Sequence, residues 1–89
     1  RELADKHISP ELEQLIEARK VYQRKSGEKG LPMLEGNEKY VIETAAPIIS
    51  EGDVMGCVVF FSEGEKILGE VEYKLAQTIA GFLGKQLEA

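Results

Sequence analysis

The stretch MGCVVFF, residues 55–61, is apolar almost without a break, closed in front by EGD and behind by SEGE. A strand with two apolar faces belongs inside a sheet, with a neighbour on each edge and cover over each face. The chain has 89 residues, one small domain's worth, and a domain of that size buries only roughly two-thirds of the surface its unfolded form exposes. Two other segments have strand character, residues 21–25 and 40–49, with SEGD as a hairpin turn between 40–49 and 54–62. Three strands give the 54–62 strand one neighbour. Its other edge then needs a partner from residues outside this sequence, from another subunit or from a second copy.

If Ile49 faces Val54 across the turn, the antiparallel register sets Ala45 against Val58, Glu43 against Phe60 and Thr44 against Val59. One face then carries Ile42, Thr44, Ala46, Cys57, Val59 and Phe61 and no charge. The other carries Val41, Glu43, Ala45, Val58, Phe60 and Ser62, and a mid-strand carboxylate requires water, a partner or a ligand. Glu43 reads either as a solvated or paired charge or as a ligand anchor, and in the second case Tyr40, Phe60 and a loop around Met33 and Leu34 complete a pocket with it. That loop, SGEKGLPMLEGNEK, reads as one long irregular connection because Gly27, Gly30, Pro32 and Gly36 interrupt it.

Two helices complete the chain. HISPELEQLIEARK has Ser9 to cap the free amides, Pro10 at the first helical position and Glu11 in the positive first turn, so a helix runs from residue 10 to 20 with Leu12, Leu15 and Ile16 inward. GEVEYKLAQTIAGFLGKQLEA supplies about 19 helical residues, roughly 28 Å. It carries two stripes. Val71, Leu75, Ile79, Phe82 and Leu83 are large and suited to covering the sheet, whereas Ala76, Ala80 and Gly84 repeat every four residues and admit a second backbone at close range.

Composition narrows the chemistry. Eleven Lys and Arg against 16 Asp and Glu leave a net charge of -5, which disfavours direct contact with a nucleic-acid backbone. The basic cluster RKVYQRK, with Arg19, Lys20, Arg24 and Lys25, reads as a solvated turn and helix end. One cysteine excludes an internal disulfide, no Cys or His pair has metal-ligand spacing, and no stretch approaches the roughly 20 apolar residues that cross a bilayer. No metal, cofactor or membrane is expected, and the cytoplasm is the expected compartment. Cys57 in a buried strand behaves as a small hydrophobe unless a base or cation lowers its pKa, and His7 stands alone among polar residues. Neither is a catalytic candidate on these grounds.

EGDVMGCVVFFS followed by GEVEYKLAQTIAGFLGKQLEA resembles the C-terminal sensor domain of the stage V sporulation protein T family, transcription regulators of spore-forming bacteria. The likeness rests on Gly52, Asp53, Gly56 and Phe61 and on Gly69, Glu70, Thr78, Gly81 and Phe82, among others, and thins upstream to Ile8, Ser9, Leu12, Glu13, Arg19 and Pro47. It implies an α+β, GAF-like domain, with a central antiparallel sheet, helices packed on one face and a pocket for an unknown small-molecule effector on the other. Residues 1–89 would be part of that domain, without its first helix and first strands. DNA would be bound through a separate domain absent from this chain, and the sensor domain would dimerise through terminal helices. On that reading the close-approach stripe of the last helix, Tyr73, Ala76, Ala80, Gly84 and Leu87, is the dimer contact. The expected function is a non-catalytic ligand-sensing and dimerisation module. The alternatives are a purely structural dimerisation module with a filled core and, from the GAF proteins that reduce methionine sulfoxide, a thiol enzyme using Cys57.

Overall fold

In the computed structural model, which describes residues 7–64 and 69–88, helix α1 spans Pro10–Ala18 and starts where its capping chemistry places it. Ser9 Oγ accepts the Leu12 amide at 3.0 Å, and Pro10 needs no partner for a missing N–H. The helix stops two residues short of the expected end because Arg19 turns left-handed, φ 59°, and its amide closes on Ile16 and Leu15.

Among the described residues four strands follow rather than three: β1 (Tyr22–Gln23), β2 (Leu31–Leu34), β3 (Asn37–Ser50) and β4 (Asp53–Ser62). β2 lies in the segment expected to be an irregular loop. It pairs antiparallel with β3, Leu31 against Ile42 and Leu34 against Asn37, through a tight turn at Glu35–Gly36 in which Gly36 takes φ +73°. Pro32 is accommodated beside the register shift that follows it. β1 pairs with β3 at Ala45 and Thr44, so β1 and β2 lie end to end along one edge of β3 while β4 occupies the other. The central strand is thus β3. Among the described residues β4 has β3 as its one strand neighbour, as expected.

The Ser50–Asp53 turn has Glu51 at φ 52° and Gly52 at φ 87°, the two positive values of a turn whose twist matches its strands. Ile49 opposes Val54, as the sequence register has it. Between Ile48 and Ile49 the pairing slips by one, so Ala45 meets Val59 and Thr44 meets Phe60, and a second irregularity between Ile42 and Thr44 restores the original register at Ile42–Phe61 and Val41–Ser62. Glu43 therefore sits in a bulge and not opposite Phe60.

Helix α2, Glu70–Gln86, follows the capping residue Gly69, whose amide donates to Glu72 Oε1 at 3.0 Å. The two helices do not share a face of the sheet, contrary to expectation. Ala45 packs with Leu12 and Ile42 in one core and its neighbour Ala46 with Ala76 and Ala80 in another; Val59 and Val58 divide in the same way. Because successive strand residues point to opposite faces, α1 covers one face and α2 the other. No helix among the described residues is long and apolar enough to cross a membrane.

Candidate functional site

The three residues expected to form a ligand pocket are not brought together. Tyr40 packs edge-on against Phe61, ring centroids 5.5 Å apart at 76°, with Lys39 Nζ 5.3 Å above it. Phe60 is the strand neighbour of Phe61 and points to the opposite face. Glu43 has a fully buried side chain whose Oε2 accepts from Arg24 Nη1 at 2.8 Å and from Ser62 Oγ at 2.5 Å. Its charge is met inside the protein, which removes the reason for casting it as a ligand anchor.

The bulge explains why that carboxylate turns inward, and its partners come from both edges of β3. Arg24 follows β1; its amide donates to Glu43 O at 2.9 Å and its Nε to Glu28 O at 3.2 Å. Its side chain is 10% exposed, so this member of the basic cluster is a buried partner and not a solvated one. Ser62 ends β4 and accepts the Gly64 amide at 2.9 Å. Neither Arg24, read as part of a solvated turn, nor Ser62, placed only on the face of Glu43, was expected as a partner of that carboxylate. The available signal was a basic residue beside one strand and a hydroxyl at the end of another, flanking a mid-strand Glu.

A half-open cavity of about 340 Å³ lies near this cluster, lined by Lys29, Gly30, Pro32 and Val41 with Glu11 and Glu38 at its polar side. Gly30 joins the two features: a Cβ there would stand 3.2 Å from Arg24 Nε and 3.4 Å from Val41 Cβ. Met33 and Leu34, expected in a mobile loop, instead lie in β2, with Leu34 buried and Met33 packed against the α1 core.

The stripes of α2 are used the opposite way from expectation. Ala76, Ala80 and Gly84 are buried against their own sheet, and a Cβ on Gly84 would overlap the carbonyl oxygen of Ile49. These three are not available to a second subunit as the structure stands. Tyr73 is half-buried and Leu87 exposed. Most of the large residues face outward, Val71 at 74% exposed, Phe82 at 60% and Leu75 at 46%, while Ile79 is half-buried.

Burial pushes the Cys57 thiol up, the direction that suppresses the thiolate, and its Sγ contacts Val58 O at 3.8 Å. His7 is exposed. Among the described residues no group of His, Cys, Asp and Glu is placed to hold a metal.

Residues 1–88 match the family described as stage V sporulation protein T C-terminal, transcription factor. The chain belongs to that family. It is also 36% identical over 89 residues to stage V sporulation protein T of Bacillus subtilis (strain 168), covering 99% of this chain and 49% of that protein. The chain spans about half the length of that relative. Membership in the stage V sporulation protein T C-terminal family supports a regulatory role for the domain.

Proposed function

We propose that this domain is the ligand-sensing and dimerisation module of a sporulation transcription regulator, of GAF-like ancestry and without catalysis of its own, and that DNA is bound by another part of the same protein. The observation that carries the reading is the outward stripe Val71, Leu75 and Phe82 on α2, whose small face is already occupied by the sheet. Large apolar side chains in a row on one exposed helix face mark an interaction surface. The dimer contact is thereby reassigned from the small stripe to the large one. Photo-crosslinking from position 82, with benzoylphenylalanine replacing Phe82 in the intact protein, is expected to yield a covalent dimer. Adducts confined to a single subunit would sink the assignment.

Sensing is supported by the cavity beside Gly30, whose size falls at the low end of small-molecule sites. A structural dimerisation module without ligand is the second reading, favoured by the internal pairing of Glu43. Native mass spectrometry of the intact protein taken from its own host separates them: a retained small molecule supports sensing, and its absence in every preparation supports the structural reading.

A further inference from the structure

We propose that Arg24, Glu43 and Ser62 form a relay between the wall of the Gly30 cavity and the chain that leaves β4 at Gly64, so that rearrangement at either end is felt at the other. The cavity as input rests on the sensing reading; the relay itself stands on geometry. A continuous run of directional bonds leads from one end to the other. The Gly64 amide donates to Ser62 Oγ, the Ser62 hydroxyl to Glu43 Oε2, Arg24 Nη1 to the same oxygen, and Arg24 Nε to Glu28 O in the loop before Gly30. The guanidinium is rigid and planar, so it cannot release the loop carbonyl without also turning its arm on Glu43.

Three further features favour a relay over a brace. The carboxylate is aimed inward by a β-bulge, a feature found where a strand redirects a side chain for a purpose. A buried ion pair is weak support for stability, since an apolar replacement of similar volume often does as well. Finally, the Arg24 side chain stands directly behind Gly30 in the cavity wall, since a Cβ at Gly30 would come within 3.2 Å of Arg24 Nε and 3.3 Å of its Cδ. Close-packed interiors pass on a shift of that kind instead of absorbing it. Gly64 in turn stands five residues before Gly69, the cap of α2.

Residue-resolved amide hydrogen exchange on the intact protein tests the relay from both ends. Gly30→Ala crowds Arg24 and is read at the Gly64 amide; Ser62→Ala removes the hydroxyl and is read at the amides of Lys25 and Glu28, which bond within the loop at 3.1 and 3.0 Å. Each variant is expected to speed exchange at the far end about fivefold or more, the lower end of ordinary site-to-site coupling. The Leu12 amide, bonded to Ser9 Oγ outside the cluster, is expected to stay unchanged. Far-end amides that keep their parent rates would overturn the proposal, as would equal acceleration at Leu12, which reports loss of the whole fold. If Gly30→Ala does not fold, given φ +91° at that position, Ser62→Ala decides alone. A negative result leaves ligand binding untouched, and an empty cavity in mass spectrometry leaves the relay untouched.

Discussion

The two helices cover the same sheet with opposite kinds of surface. α1 turns Leu12, Leu15 and Ile16 toward Ile42, Ala45 and Val59, so large side chains on the helix meet both large and small ones on the strands. α2 turns Ala76 and Ala80 toward Ala46, Ile48 and Val58, with Gly84 against the backbone of Ile49, so the strands supply the bulk and the helix comes close. A helix that needs only its small residues for its own sheet has its large ones free for something else. The pattern of residue size around a helix therefore distinguishes a helix with one face to bury from a helix with two.

The sharpest way to break this comparison is Gly84→Val. The added atoms meet a backbone carbonyl, which cannot step aside, and overpacking of such a site costs about 3 kcal/mol or more. Urea denaturation is expected to show that loss; a variant as stable as the parent would mean that α2 does not seat as described. A paired measurement comes next in size. Leu12→Ala, at a fully enclosed position, is expected to cost about 3 kcal/mol, whereas Leu75→Ala on the outward face of α2 should change the stability of the subunit by less than about 0.5 kcal/mol. Equal losses would erase the distinction between the two helices.

The smallest effect is confined to the α1 side, where the half-buried Tyr22 and Cys57 both pack. Burial raises both, with the nearby Glu28 adding to the rise at Tyr22. The unfolded chain then releases these protons first, so their contribution is complete below about pH 8.5 and is lost as the pH climbs through the folded values. Melting temperature should fall from about pH 8 to about pH 10.5, and less steeply in a Tyr22→Phe, Cys57→Ala double variant. Identical slopes would show that burial at these two sites does not govern the decline.

Much of the fold was legible because local chemistry specified it. Ser9 and Pro10 announce α1, and Glu51–Gly52 between apolar runs announces the hairpin turn and the Ile49–Val54 pair. The middle of that hairpin was not legible: MGCVVFF is apolar at nearly every position, so its pattern has no phase from which a one-residue slip near Met55 could be read. β2 was hidden by Pro32 between Gly30 and Gly36, since strand propensity is low there and pairing with β3 decides the outcome. In α2 both stripes keep helical spacing, which tells which residues travel together but not which set faces inward. The partners of Glu43 were not legible for a related reason, because they lie 19 residues away on either side, at Arg24 and Ser62.

The buried hydroxyl of Ser9 works as donor and acceptor together. It accepts from the Leu12 amide and donates to Pro32 O at 2.6 Å, while the backbone of the same residue accepts from the Glu13 amide and donates to Met33 O. One first-turn amide of α1 and a carbonyl of β2 are thus reconciled through a single atom that acts as acceptor and donor at once. Asp begins helices about as well as Ser in general, yet its carboxylate has no proton to offer and would face the Pro32 carbonyl lone pair to lone pair. What looks like an ordinary capping position therefore demands a side chain that both accepts and donates, and the rule that Ser and Asp are interchangeable at helix starts stops applying once the cap also serves a strand.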